Sequence, residues 1–428
     1  MRAQPALMRT VETGQHGNLR LLAQRFGREY WVFYLTAFCM DFGFGLFIFL
    51  FNLYLTDFHF DERAIGNVMA CFTLGNVAGT IPGMMVTRRY GMRALLLVTF
   101  SAVPVLSVMR IWMLLEPTQY VLAFATGAAL CGWPICFSPV IAQLTNDGNR
   151  TAGFSFAFAT GIGLGTLAGV AGGYIPEMLE KGRLHLSLVS GIQLVLLFAS
   201  VVVALGLWPL CRLELKRPAT SPQGRMRVFH PYLLRFLPAF LVWNVATGSF
   251  PMFGAVYLQK ALGVPLGRLG TVFAASQLMQ FVAVLSSPML LKRLGRVGGV
   301  AAAQLGTAVL LVCIVAARSM PAVFVCYVLY FAAQFMCGPG IYQMLMEHVP
   351  EAERSSASAL QNLCGALCQA GTAAMTGMYI MTYGYHALML ANAGVAVVAA
   401  LLFVWLGMES RGSLTARERN EVVREVAD

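Results

Sequence analysis

The chain has 428 residues, 58% of them apolar and 11% charged, where ordinary soluble domains carry about a quarter charged residues. That balance excludes a water-soluble globular enzyme. The formal net charge of +11 suggests nucleic acid as a partner at first sight, but the distribution of the charge decides against it.

Residues 1–29 form an arm with Arg2, Arg9, Arg20, Arg25 and Arg28 and no uninterrupted apolar core before Tyr30. No cleavable signal peptide is expected, so the first apolar segment is a retained span. Twelve apolar stretches follow, starting close to Tyr30, Ala64, Ala94, Gln119, Ala152, Leu186, Pro231, Leu269, Val297, Met320, Ser355 and His386. Each is near the ~20 residues that cross a bilayer as helix. With a cytoplasmic N-terminus, all but seven of the 30 Lys and Arg fall on the inner side. The seven are Arg63, Arg110, Lys181, Arg183, Lys260, Arg268 and Arg318. This is the positive-inside pattern, so the basicity orients the chain in a membrane. The expected division is a cytoplasmic arm 1–29, a six-helix bundle 30–210, a cytoplasmic linker 211–231, a second bundle 232–408 and a cytoplasmic tail 409–428. The tail carries a capping pattern after Ser413 that suits a short surface helix, but it is read as a solvated, dispensable stretch.

The two bundles read as one unit written twice. Arg88-Arg89-Tyr90-Gly91 returns as Lys292-Arg293-Leu294-Gly295, each following a span that opens on Gly66 or Gly270 with Ala70 or Ala274 one turn later, all at an offset of 204. Asp41 and Gly45 return as Asn244 and Gly248 at an offset of 203. The fifth span carries Gly161, Gly165, Gly169 and Gly173, a ridge of small residues that lets a partner backbone approach closely. Ala366, Ala370 and Ala374 stand in the matching place of the eleventh. A repeat of this length built from apolar spans marks a secondary transporter whose pathway lies between two halves.

These features resemble the major facilitator superfamily. The double six-span layout, the basic turn after spans 2 and 8 and the glycine ridge carry the resemblance, over roughly residues 30 to 408. Of the family's loop pattern Gly-x-x-x-Asp-Arg-x-Gly-x-Arg, Arg89, Gly91 and Arg93 match, with Met84 at the Gly position and Arg88 at the Asp position. Arg293 and Gly295 match in the second copy, with Lys292 in place of the acid. The resemblance implies an all-α membrane protein of twelve transmembrane helices in two pseudo-symmetric bundles, working by alternating access. Arg88, Arg89, Gly91, Arg93, Lys292, Arg293 and Gly295 would form its inner gate.

Among 19 acids only Asp41 sits at mid-depth in a span, about eleven residues or ~16 Å from its inner end. An ionised carboxylate there is costly, so it is expected to face a wet cavity or a partner. A carboxyl that is neutral part of the time can load and release protons as access alternates, and the family resemblance implies that role for an acid of span 1. The alternative is a carboxyl hydrogen-bonded for packing. Asn244 keeps the shape of Asp41 without its charge and is read as a substrate contact or as a bridge between helices. Arg110 is read as an outer-interface residue whose chain snorkels toward the headgroups, with countercharge to Asp41 as the sharper alternative. Asn52, Asn76, Gln277, Gln280, Tyr330, Gln334, Gln361 and Asn362 are further candidates to line the pathway. Dense aromatics in span 1, with Trp133, Trp243 and Tyr330, suggest a largely apolar cavity.

Gly161-Ile-Gly163-Leu-Gly165 lies inside an apolar helix with no preceding strand and is no dinucleotide loop. The ten cysteines fall almost all within spans, and no metal, cofactor or nucleophilic arrangement is expected. The resemblance implies arginines deep in the early spans of both halves where such carriers move strongly anionic solutes, and this chain has none, which ranks those solutes low. The expected protein is therefore a monomeric multi-pass transporter of the plasma or bacterial inner membrane, both termini cytoplasmic. It would move a small neutral, cationic or lipophilic solute with protons, export favoured over import. A facilitative or importing metabolite carrier without proton coupling is the alternative, and a non-transporting receptor or scaffold a remote one.

Overall fold

A computed structural model describes residues 26–146, 149–182, 186–215, 231–349 and 354–427. Most of the expected arm, residues 216–230 of the linker and the last residue of the tail lie outside them. All regular structure among the described residues is helical. The first half holds α1 (Arg28–Asp57), α2 (Glu62–Tyr90), α3 (Met92–Trp112), α4 (Glu116–Leu130), α5 (Gly132–Leu144), α6 (Arg150–Lys181), α7 (Leu188–Leu205) and the short α8 (Leu207–Arg212). The second holds α9 (Pro231–Gly248), α10 (Phe250–Val256), a π-turn at Tyr257–Ala261, α11 (Leu266–Ala316), α12 (Met320–Met336), α13 (Gly338–His348) and α14 (Arg354–Ala427). Rather than forming a separate short helix, residues 409–427 continue α14.

Nine helical segments among the described residues are long and apolar enough to cross a membrane, where twelve were expected. Two of the nine run 51 and 49 residues. A straight helix of that length would reach ~75 Å, more than twice a bilayer core. Neither is straight: α11 breaks at Gly295 (φ 72°) and α14 at Gly384 (φ 82°). Left-handed backbone of this kind suits glycine and ends a helix. Helix α6 is not among the nine.

The repeat is written into the backbone. Gly91 (φ 91°) ends α2, its N–H bonding to Thr87 O at 2.9 Å, and Gly295 holds the same φ range 204 residues on. His59, the one described non-glycine residue with positive φ, and Gly263, 204 residues on, share φ 63° at the turns into α2 and α11. Asp61 then starts α2, its carboxylate accepting from Ala64 N at 2.7 Å, a side-chain cap for an N–H that the helix itself leaves unpaired.

The halves meet along two glycine-lined seams. On α6 and α11 the backbones touch where Gly169 and Gly173 face Gly270: a Cβ on Gly173 would stand 2.8 Å from Leu266 O and 2.9 Å from Gly270 Cα. Helices α2 and α14 meet in the same way, where a Cβ on Gly66 would lie 2.5 Å from Ala373 O and 3.4 Å from Gly377 Cα. The second seam therefore runs over Ala373 and Gly377, which are Gly169 and Gly173 displaced by 204. The expected ridge of Ala366, Ala370 and Ala374 lies one residue out of register with them, because alanine spacing cannot reveal which flank must let two backbones touch.

Candidate functional site

Asp41 is carried by α1 and faces a cavity of about 610 Å³. Phe44, Gly45 and Ile48 of α1, Leu130 of α4, Trp133, Pro134, Phe137 and Ser138 of α5 and Ala157, Gly161, Ile162 and Gly165 of α6 supply most of its wall. Asn76 of α2 and Gln277 of α11 complete it. The glycines of α6 make the room: a Cβ on Gly161 would stand 3.2 Å from Asp41 Oδ2. Trp133 lines the cavity beside the carboxylate. Asp41 is the one charged residue of the wall, beside the amides of Asn76 and Gln277 and the hydroxyl of Ser138. Such a wall, mostly apolar with a few polar groups, is the usual make-up of a small-molecule site.

Of the sequence candidates, Asp41, Asn76, Gln277, Gly161 and Gly165 come together here. Asn76 Nδ2 also reaches Gly127 O at 3.4 Å. Asn52, Asn244, Gln280, Tyr330, Gln334, Gln361 and Asn362 do not line this cavity. Asn244 repeats the Asp41 arrangement in the second half: its Oδ1 lies 3.3 Å from where a Cβ of Gly365 would stand. It accepts from Gln369 Nε2 at 3.1 Å, while its own Nδ2 donates to Phe240 O at 2.8 Å. Gln334 Nε2 donates to Thr247 O at 3.5 Å. Buried polar atoms of Asn52, Tyr330, Gln334 and Gln361 have no hydrogen-bond partner, both side-chain polar atoms of Gln361 included. Gln280 is half-buried and Asn362 exposed.

Arg110 departs from the interface reading. It is 3% exposed, with its guanidinium 4.1 Å from the Phe51 ring centroid and its Nε donating to Gln119 Oε1 at 3.3 Å. Gln119 Nε2 in turn donates to Arg110 O at 2.7 Å. The aromatic face of α1 and an amide of α4 hold the side chain inside the half, so it neither snorkels outward nor reaches the cavity of Asp41.

Phe137 and Ser138 had no mark in the sequence beyond their spacing from Trp133, which puts them on one side of α5. Gln369 likewise has no mark in the sequence, since its meaning depends on Asn244 across the helix pair.

The basic loops lie at one end of the bundle. Arg93 donates to Cys211 O, and Arg296 pairs with Glu347, each within its own half. Lys292 and Arg293 are exposed. Among the described residues, polar contacts between the halves gather at the opposite end. Lys260 Nζ pairs with Glu62 Oε1 at 3.0 Å, which Tyr385 Oη also reaches at 3.2 Å. Gly267 N donates to Glu177 Oε1 at 2.6 Å, Tyr174 and Thr271 share a bond of 3.1 Å, and Thr56 Oγ1 reaches Gln259 Oε1 at 3.4 Å. The cavity lies between these contacts and the end that carries the basic loops.

A family model described as Major Facilitator Superfamily matches residues 33–373. No curated sequence relative matches the chain. Among solved structures, the nucleoside transporter NupG is similar with a TM-score of 0.73 at 15% identity, over 89% of this chain and 99% of that one. A D-xylose-proton symporter is similar with a TM-score of 0.69 at 15% identity, over 87% and 96%. A POT family transporter in complex with 5-aminolevulinic acid reaches a TM-score of 0.70 at 13% identity, over 89% and 96%. At such identities the likeness extends to the fold alone.

Proposed function

The chain belongs to the major facilitator superfamily, and from that membership we propose that it carries a small neutral, cationic or lipophilic solute by alternating access, coupled to protons at Asp41. It is a membrane transporter, not an enzyme. One observation carries the proposal: a single carboxyl, without a basic partner in the wall, faces a largely apolar cavity between helices of both halves. A group so placed is costly as an anion unless it is wetted or paired, and easily made neutral by a proton. Its charge also disfavours anionic solutes.

The nine apolar segments support twelve spans once α11 and α14 each count as two, at Gly295 and Gly384, and α6 is added. The bias of Lys and Arg supports a cytoplasmic placement of the basic end and of both termini, in a plasma or bacterial inner membrane. On that placement the closed end is the outer one, and the cavity belongs to an inward-facing state of a monomer. Arg88, Arg89, Gly91, Arg93, Lys292, Arg293 and Gly295 then form the inner gate, which closes when the halves rock the other way. Export is favoured over import on the lone carboxyl and the apolar cavity, which suit expulsion of a cationic or lipophilic solute in exchange for protons.

A second reading is favoured by the second half. The unpartnered Oε1 of Gln334 and amide of Gln361, with Tyr330 Oη and the Asn244–Gln369 pair, suit a neutral polar metabolite that needs no proton. Buried polar groups of this kind call for a partner.

The test is transport in proteoliposomes under an imposed pH gradient, with tetraphenylphosphonium as a lipophilic cation and uridine and xylose as neutral solutes. Movement of at least one is expected to follow the gradient, and Asp41→Asn is expected to abolish that dependence while leaving the thermal midpoint within a few degrees. Gradient-driven transport that survives Asp41→Asn would end the proton role of Asp41, and gradient-independent flux in the unmodified protein would favour the second reading.

A further inference from the structure

The 204-residue repeat leads one to expect the same groups around Asp41 and around Asn244, and at one position they differ. In the second half the amide that completes Asn244 comes from Gln369, one turn beyond Gly365 on α14 itself. In the first half the residue one turn beyond Gly161 is Gly165, which has no side chain to offer. Its place is taken from across the interface. Gln277 of α11 puts Nε2 3.0 Å from where a Cβ of Gly165 would stand. The carboxamide that α14 supplies within the second half thus has its counterpart across the interface, in the same cavity as Asp41 but with no hydrogen bond to it in this state. The exchange is not reciprocal: Thr73, the counterpart of Gln277 in the first half, turns its hydroxyl back to Met69 O at 3.0 Å.

Gln277 also stands where the helices part. Helices α6 and α11 run backbone to backbone at Gly173 and Gly270, and at Gly169 a Cβ would still be 3.3 Å from Ala274 N. One turn further the cavity opens, and Gln277 is its one contribution from the second half. Seven residues separate it from Gly270, a lever of ~10 Å. Rocking about the glycine seam therefore moves Nε2 along the same bare face of α6 on which the Asp41 carboxylate rests.

We propose that Gln277 is the positioning residue through which the second half reads the protonation state of Asp41, a role that rests on Asp41 being the proton-carrying group. An ionised carboxylate is the stronger acceptor for a side-chain N–H, so it draws Nε2 in and holds α11 against α6. A neutral carboxyl lets go, and the halves separate at the basic end. No other acid, base or histidine lines the cavity. Trp133 of α5 faces the carboxyl, and the nearest titratable groups of α1 are Cys39 and Tyr34, the latter sharing a bond with Thr160. The cavity stretches of α2, α5, α6 and α11 and the whole of α7 hold no charged residue: Cys71 of α2, Cys136 of α5 and Cys131 at the junction of α4 and α5 are the titratable side chains there, while Glu62, Arg63, Arg88 and Arg89 stand at the two ends of α2.

Hydrogen–deuterium exchange of the reconstituted protein tests this, read on the basic-end segments 84–95 and 288–298 and corrected for intrinsic chemical exchange. Between about pH 9 and about pH 5 the opening is expected to rise about threefold or more as the carboxyl takes its proton. Gln277→Ala and Gln277→Leu should flatten that response. So should Asp41→Asn and the double variant Gly165→Gln/Gln277→Ala, which returns the amide to α6 but removes the link to α11. A flat response in the unmodified protein would overturn the proposal, as would one retained in Gln277→Ala and Gln277→Leu with only the thermal midpoint lowered, or one retained in the double variant. If Asp41→Asn alone flattens it, Gln277 loses its role and Asp41 keeps its own. A response that persists in Asp41→Asn removes Asp41 as well.

Discussion

Asp41 and Asn244 hold equivalent places over Gly161 and Gly365, and what separates them is what each gives its neighbours. Asn244 is 5% exposed and uses both ends of its amide, accepting from Gln369 and donating to Phe240 O. Asn244→Asp removes the donor when ionised and leaves Phe240 O facing a negative oxygen. A buried polar group deprived of its partner costs about 1–3 kcal/mol. The neutral acid has an O–H that can replace the lost N–H. The loss of thermal stability is thus expected to be large at alkaline pH and to shrink as the pH falls through the carboxyl's titration. Unfolding curves across a pH series decide it: a loss constant with pH would mean that shape, not charge, governs this site. Asp41 differs from its counterpart by facing open space, where a change of charge has room for water.

Among the helices, the two seams set how closely the halves can approach. A Cβ on Gly270 meets Gly169 O and Gly173 Cα, and one on Gly66 meets Ala373 O, whereas one on Gly163 meets nothing within 4 Å. Overpacking where two backbones touch costs about 1–3 kcal/mol, because neither helix has a side chain to move aside. Gly270→Val and Gly66→Val should each lower the thermal midpoint by several degrees and Gly163→Val by little; equal effects at all three would show that the seams do not carry the packing. The same glycines explain what could be read before folding. Positions that need a left-handed backbone, or that let two helix backbones touch, tolerate little else, so Gly66/Gly270 and Gly91/Gly295 persist in both copies and betray the repeat. Where other residues do the work, the trace fades. His59 takes the φ of Gly263 without any mark of it, and Ala366, Ala370 and Ala374 mimic a ridge one residue from the real one. Arg110 looks interfacial until Phe51 and Gln119, from two other helices, close over it. Asp41 stood out because no other acid lies so deep, but Trp133, Ser138 and Gln369 gain meaning only from cross-helix neighbours.

At the scale of the molecule, the polar bonds between the halves lie, among the described residues, at the end opposite the basic loops, so they act on the balance between conformations more than on the folding of either half. The Lys260–Glu62 pair, with side chains 35% and 16% exposed, contributes about 1 kcal/mol at most. Glu177 accepts from Gly267 N in the first turn of α11, where the helix dipole adds a similar amount. Together they are worth ~2 kcal/mol, or roughly thirtyfold in the ratio of closed to open at that end. The double variant Glu177→Ala/Lys260→Ala should accordingly raise hydrogen exchange of segments 59–66 and 259–270 about tenfold or more, while the thermal midpoint moves by only a few degrees. Asn392→Ala is the contrast. Its Nδ2 donates to Ala246 O at 3.0 Å inside the second half, with 3% exposure, so its loss should lower the midpoint without opening that end. If the double variant behaved like Asn392→Ala, losing stability with no gain in exchange at 59–66, those bonds would belong to the fold and the latch would lie elsewhere.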